Sequence, residues 1–201
     1  MLRRRSRHPF ADRWNHSTHL YPGLRRLLSG TRGVVLDVGC GDGTLARSLA
    51  RPGVRVVGVD PDGSVLPAPG PGVAFVAGAA EALPIADRSV DAVTMVMVLH
   101  HTEPARALAE VRRVVAPGAL VVVLGYARSS GPVDVVAEAL DVLVHRWYSR
   151  RTTAWEPPVR VAPPAETWAQ ARRRLRRELP GGRYRRLRLW RYRYVWRAPA
   201  A

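Results

Sequence analysis

Val34-Val35-Leu36-Asp37-Val38-Gly39-Cys40-Gly41-Asp42-Gly43-Thr44-Leu45-Ala46 is the stretch whose reading decides the fold of this chain. An apolar, β-branched run feeds a loop with glycine at every second position, and a helix-compatible stretch follows. Strand, glycine loop and helix in that order open a nucleotide-binding α/β sheet. Glycine lets the backbone turn tightly and lets a ligand approach where a Cβ would clash. A helix starting near Asp42 aims free N–H groups and its positive dipole end at whatever occupies the loop. The spacing discriminates further. A dinucleotide fingerprint needs glycine at position 44 after Gly39 and Gly41, but Thr44 stands there and the third glycine, Gly43, comes one residue early.

This G-x-G-x-G loop behind Asp37 resembles motif I of class I S-adenosylmethionine (SAM)-dependent methyltransferases of the methyltransferase type 11 kind. Val56-Val57-Gly58-Val59-Asp60 is similar to their second strand with its ribose-binding acid. Phe75 to Pro84 (FVAGAAEALP) resembles their adenine loop, Val90 to His101 (VDAVTMVMVLHH) their fourth strand, and Arg113 to Gly118 (RVVAPG) the helix end before strand five. The ends of the chain, Trp-Asn-His-x-x-His-x-Tyr from Trp14 and Leu-Pro-Gly-Gly-Arg-Tyr from Leu179, resemble short, largely actinobacterial members of this class and leave the acceptor open. The resemblance implies an α/β, Rossmann-like, seven-stranded sheet with helices on both faces and a closing antiparallel hairpin. It implies SAM as cofactor, held by Asp37, Gly39, Cys40, Gly41, Asp42, Gly43, Asp60, Pro61, Ala79, Ala80, Glu81 and Val98. One departure stands out. The family often has Asp after the glycine of the adenine loop, whereas Gly78 is followed by Ala79, which removes about one hydrogen bond, of order 1 kcal/mol.

At 201 residues the chain can bury one substantial core, and a single domain is expected. The formal charge of +16 by itself points to nucleic acid or membrane partners, but its distribution argues otherwise. Met1–Arg32 carries 8 Arg against 1 acid and Arg172–Ala201 carries 12 against 1, while Gly33–Ala171 carries 12 Arg against 14 acids. The flanks are basic and the catalytic core is not. All 32 basic residues are arginine, a bias that fits a GC-rich genome and weakens the charge as a functional signal. Cys40, the only cysteine, allows no intrachain disulfide, and no apolar run approaches the ~20 residues of a membrane span. A cytoplasmic enzyme is therefore expected.

Taken in order, residues 1–32 form a basic, partly helical cap, with short helices broken at Pro22-Gly23 and with His16, His19 and Tyr21 as candidates for the acceptor pocket. Residues 33–126 form the SAM-binding core. Asp60 lies 21 positions after Gly39, close to the roughly 20 expected of an acid that accepts the ribose hydroxyls. The helix after it is cut short by Pro67, Pro69 and Pro71. Val90–Leu99 reads as a strand buried on both faces, with His100 and His101 at its carboxyl end, where open α/β sheets bind ligands. Glu103–Val115 reads as a helix ended by Pro117-Gly118, before a strand over Ala119–Gly125. Residues 127–180 form a lid-like helical insertion, whose first helix repeats Val133, Val136, Leu140, Leu143, Val144 and Trp147 at 3–4 spacing. Residues 181–201 close the sheet as a hairpin alternating Trp190, Tyr192, Tyr194 and Trp196 with Arg191, Arg193 and Arg197.

Methyl transfer from a sulfonium is an in-line displacement in which positioning supplies much of the acceleration. A hydroxyl or ammonium acceptor profits from a base, and imidazole suits neutral pH. His100 and His101 are the candidates, with His16 and His19 next. No Cys/His cluster has metal spacing, so no metal is expected. The leading expectation is a methyltransferase acting on a small molecule. One alternative is an RNA or DNA methyltransferase whose arginine-aromatic C-terminus tracks phosphates and stacks bases. A second is a SAM-binding protein without catalysis. Oligomeric state is not legible in the sequence.

Overall fold

A computed structural model describes residues 8–156 and 163–200. The basic tip before His8 and the Pro157-Pro158 connector lie outside the described residues. Seven strands form one sheet in the order β3-β2-β1-β4-β5-β7-β6. They are β1 (Gly33–Val38), β2 (Val54–Asp60), β3 (Val73–Ala77), β4 (Val90–Val96), β5 (Val115–Gly125), β6 (Arg183–Arg186) and β7 (Tyr192–Arg197). Strands β1 to β5 pair in parallel, and β7 runs antiparallel to both β5 and β6. The α/β class and the closing hairpin are as the sequence implies. Successive strands move outward from β1 to β3, then cross back to β4 on the other side of β1. That reversal opens the crevice in which such sheets bind ligands.

Two apolar layers cover the sheet. On one face, α1 (Tyr21–Leu27) and α2 (Thr44–Leu49) seal Val35, Val54, Val56 and Ala92 with Leu24, Leu28, Leu45 and Leu49. On the other, α3 (Pro104–Val114) and α5 (Trp168–Glu178) cover Leu36, Val93, Met95 and Val121 with Leu108, Val111, Trp168 and Leu175. Central strands are apolar at nearly every position because both of their faces are buried. Glu103 caps α3 by accepting the N–H groups of Ala105 and Arg106, and Thr167 with Gln170 forms a capping box at the start of α5.

Several boundaries differ from expectation for physical reasons. Pro22 does not break the N-terminal helix; it occupies the first turn of α1, where its missing N–H costs nothing. Strand β4 stops at Val96 because Met97 adopts a left-handed φ of 62°, after which Leu99–His101 forms a 3-10 turn. Helix α3 ends at Val114, and β5 runs straight through Pro117-Gly118 with its register slipped against β4. The two helices of the expected lid-like insertion are placed differently. Helix α5 packs into the core layer beside α3, as a connecting helix of the sheet.

The other half, α4 (Pro132–Ser149), presents its apolar stripe outward: Val133 is 80% exposed, Val136 65% and Leu143 61%. Its polar side faces the protein, because the neighbouring hairpin offers donors that carboxylates satisfy. Asp134 pairs with Arg186, Glu138 accepts from the Ser129 hydroxyl, and Asp141, fully buried, accepts the N–H groups of Leu189 and Trp190 at 3.1 Å each. The spacing of apolar residues had correctly marked a helix, while the buried face was set by hydrogen-bond partners far away in sequence.

Candidate functional site

The loop after β1 carries the geometry its glycines permit. Gly39, Gly41 and Gly43 have φ values of 66°, 51° and 71°, the left-handed region that other residues enter at a cost. The loop is stitched to the end of β2. Val59 carbonyl accepts the N–H groups of Gly39 and Cys40 at 2.7 and 3.1 Å, and Asp60 Oδ2 accepts that of Gly41 at 2.9 Å. Asp60 Oδ1 takes the Asp62 N–H at 3.0 Å, so both carboxylate oxygens are oriented by backbone. Gly43, rather than Asp42, is the N-cap of α2, and the Asp42 carboxylate instead binds the N–H and hydroxyl of Thr44. Gly39 also meets the β4 side of the crevice: a Cβ there would lie 2.3 Å from Val98 Cγ2.

Above this loop lies a cavity of about 1000 Å³. Of the residues expected at the cofactor, Gly39, Cys40, Gly41, Asp42, Asp60, Pro61, Ala79, Ala80, Glu81 and Val98 line it. Asp37 and Gly43 do not. Gly43 is instead packed beneath Phe75 and Pro67, where a Cβ would meet the Phe75 ring at 2.5 Å. Asp37 is buried under the loop beside its register partner Thr94, whose hydroxyl donates to Oδ1 at 2.7 Å, while Oδ2 has no partner. Burial pushes the Asp37 carboxyl up to about 7, with the negative charges of Asp60 and Asp42 adding to the effect. Burial likewise pushes the Cys40 thiol up, which makes it a packing group and a poor nucleophile.

The loop from Ala79 to Ile85 is buttressed from α3. Glu110 accepts the Leu83 N–H at 2.8 Å, and Arg113 binds Glu110, Asp87 and the carbonyls of Leu83 and Ile85. Glu81 accepts the Glu103 N–H at 2.8 Å, tying the loop to the start of the same helix. Ala79 lines the cavity with no carboxylate, as its sequence position implied.

The opposite end of the cavity is a different surface. His16, His100 and His101 line it, together with Trp14, Tyr126, His145, Trp155, Glu156 and Arg191, while Tyr21 lines the cavity within electrostatic reach of Asp42. Helix α4 reaches over it through His145, whose Nδ1 is 2.9 Å from His16 Nε2. His19 is not on the cavity: it stacks on His8 and meets the Tyr148 ring edge-on, with Trp14 Nε1 donating to its Nδ1 at 3.4 Å. Burial lowers the imidazole of His16 to about 4, assisted by Arg191, His145 and His19; burial with His101 and Arg191 does the same to His100. Both rings are therefore neutral and weakly basic at pH 7. The His100 ring stands edge-on to Tyr126, with centroids 4.6 Å apart.

Tyr126, His145, Trp155, Glu156 and Arg191 carry no local motif that marks them for a site. Arg191 was legible only as one of the alternating arginines of the hairpin. The aromatic partners in that alternation are framework: Tyr192, Tyr194 and Trp196 are buried, and the Tyr194 hydroxyl and Trp196 Nε1 donate to the carbonyls of Leu179 and Pro180 at 2.7 and 2.9 Å. These three are not available to stack on bases, whereas Trp190 is half-buried with its ring 5.3 Å from that of His16. Among the described residues no His, Cys, Asp and Glu side chains cluster as metal ligands, and no helix is long and apolar enough to cross a membrane.

Comparison with known proteins agrees with this geometry. Residues 36–123 match the family described as a methyltransferase domain. An uncharacterized methyltransferase of Mycobacterium tuberculosis is 45% identical over 87 residues, 42% of this chain and 36% of the relative. A demethylmenaquinone methyltransferase of Renibacterium salmoninarum is 41% identical over 107 residues, 51% of this chain and 45% of that protein. The chain thus spans less than half the length of these curated relatives. A SAM-dependent methyltransferase from Methanosarcina mazei shares the fold with a TM-score of 0.62 at 19% identity, covering 90% of this chain and 99% of that one. Fold, domain match and relatives together support a class I methyltransferase.

Proposed function

We propose that the chain transfers a methyl group from SAM to a small-molecule acceptor bound at the histidine-aromatic end of the cavity. The observation that carries this reading is that one continuous cavity joins two unlike surfaces, the glycine loop with Asp60 and the wall built from His16, His100, Tyr126 and Trp155. A volume of about 1000 Å³ lies at the upper end of ligand pockets and has room for a cofactor and a compact acceptor side by side. The donor set at the first end fits SAM. Asp42, Asp60, Asp62 and Glu81 line it, and beneath them the orphaned Oδ2 of Asp37 adds a buried carboxylate whose charge a cationic ligand would favour. When bound, SAM supplies an electrophilic methyl on sulfur.

The chain's own residues would do the rest. Asp60 holds the ribose end, already oriented by its two backbone hydrogen bonds. The loop containing Ala80 walls the adenine end, braced by Glu110 and Arg113. His100, kept neutral by burial, orients the acceptor's reacting group by a hydrogen bond, and Tyr126 fixes the ring's orientation. Helix α4, latched through His145 to His16, limits the entry of water. Calorimetry with SAM tests the first half, and turnover to S-adenosylhomocysteine with methyl-labelled SAM and fractionated cell extract tests the second. Label in a small metabolite is expected; label in RNA, or SAM binding without turnover, overturns the reading. His100→Gln should lower turnover about 10²-fold with SAM affinity unchanged.

A further inference from the structure

Four of the five acids that line the cavity, Asp42, Asp60, Asp62 and Glu81, end or follow strands β1 to β3, while Arg191 immediately precedes β7, beyond β4 and β5, and the fifth, Glu156, acts on it. Arg191 is half-buried, with its Nε shut off from solvent, and it is poorly satisfied by protein. Its Nε has no partner, and Nη1 reaches only the carbonyl oxygens of Leu189 and Trp190, at 3.4 Å each, the long limit of a hydrogen bond. Among the described residues no carboxylate lies within 4 Å of it. Arg113, Arg174 and Arg186, by contrast, each have an acid: Glu110 and Asp87, Glu166, and Asp134. Of the groups around it, Glu156 attracts it from a distance, Tyr126 places its ring 5.4 Å from the guanidinium carbon, and His16 and His100 feel its positive charge. Burial lowers even this guanidinium to about 10, the mark of a cation without a matched anion. A buried, unpaired charge is costly unless something completes it.

We infer that Arg191 is the recognition residue for the acceptor, and that the acceptor carries an anionic oxygen conjugated to a planar ring, as a phenolate or an arene carboxylate does. The geometry fits each part of that description. A guanidinium presents a planar fork of donors suited to such oxygens. The walls beside it, Trp14, Tyr126, Trp155 and the His100 ring, are flat and accept a planar group. Neutral histidines give the anion no competing cation, and of the cavity's acids only Glu156 is felt by Arg191, without contacting it. The inference rests on the methyltransferase reading for the word acceptor, although the anion site itself stands on Arg191.

The test uses the full chain saturated with S-adenosylhomocysteine, titrated with benzoate, 4-nitrophenolate and neutral benzyl alcohol by calorimetry. At least one anion should bind about tenfold to a hundredfold tighter than the alcohol. Which anion wins decides between carboxylate and phenolate. Arg191→Gln should erase that preference and leave S-adenosylhomocysteine affinity unchanged, and Arg191→Lys should restore part of it. Equal binding of anion and alcohol, binding of neither anion, or a preference surviving in Arg191→Gln overturns the inference. A lowered Tm in Arg191→Gln with the preference intact would assign the arginine to the hairpin alone. If Arg191→Gln does not fold, 4-nitrophenol titrated across its own ionisation with the unaltered chain gives the answer, because affinity must rise with the phenolate fraction. Loss of S-adenosylhomocysteine binding in the unaltered chain would instead defeat the methyltransferase reading and leave the anion site to be judged by the same titrations.

Discussion

The two ends of the cavity are built by different means. The proposed cofactor end comes mostly from backbone: three left-handed glycines, the Val59 carbonyl and the two oriented oxygens of Asp60, all within the span from Asp37 to Asp62. The proposed acceptor end comes from side chains at residues 14–17, 100–102, 126, 145, 154–156 and 191, which meet only once the sheet is complete. A local, backbone-made site is constrained by loop geometry and leaves a short motif. A side-chain site assembled over the whole chain can be altered one residue at a time and leaves none.

The largest effect should come from breaking the local end. Asp60→Ala removes a carboxylate that organises two backbone N–H groups, and SAM affinity should fall roughly 30-fold or more by calorimetry. Acceptor-end titrations with an anionic probe should remain within a few-fold if the ends are separately built. Gly39→Ala should cost about 2–3 kcal/mol of stability in denaturant unfolding, since its φ of 66° disfavours a side chain and the new Cβ meets Val98 at 2.3 Å. Combining it with Val98→Ala should relieve the clash and leave the φ cost. Smaller still is a pH effect with opposite signs at the two ends. His16 and His100 fall from 6.5 to about 4 on folding, so the unfolded chain binds more protons between those values and their contribution to stability is lost as pH falls through that window. Asp37 rises from 3.8 to about 7, so its contribution is lost as pH rises between those values. Tm against pH should flatten on the acid side in a His16→Gln/His100→Gln variant, and Asp37→Asn should raise Tm near neutrality. The smallest change belongs to neither end: Tyr194→Phe should cost about 1 kcal/mol and leave both ligand affinities alone, as expected of a framework hydroxyl.

The same contrast explains what was legible in the sequence. The strand-loop-helix unit and the closing hairpin were readable because periodicity and glycine spacing act locally, and the prolines at 67, 69 and 71 told that little helix could form after β2, where the chain has only turns. Asp37 does not line the cavity, because its strand position puts it beneath the loop, beside Thr94 of β4, a partner that strand pairing alone reveals. His19 was grouped with His16 on proximity in sequence, although only one of the two reaches the cavity. Arg191 read as surface charge on a hairpin, because nothing local told which arginine would be turned inward. Helix α4 carried an apolar stripe whose usual meaning is a buried face, and its carboxylates took that place through partners some fifty positions away.

Asp141 ties these last two observations together. Its two oxygens receive the N–H groups of Leu189 and Trp190, both with positive φ, at 61° and 55°, so one carboxylate of the lid helix fixes the turn that delivers Arg191. The roof of the pocket and its cation are therefore a single mechanical piece. A lineage that shifted α4 to admit a bulkier ligand would move the charge that greets it by the same displacement. Size and polarity preferences would then change together in this pocket, and could not be tuned one at a time without first cutting the link at residue 141.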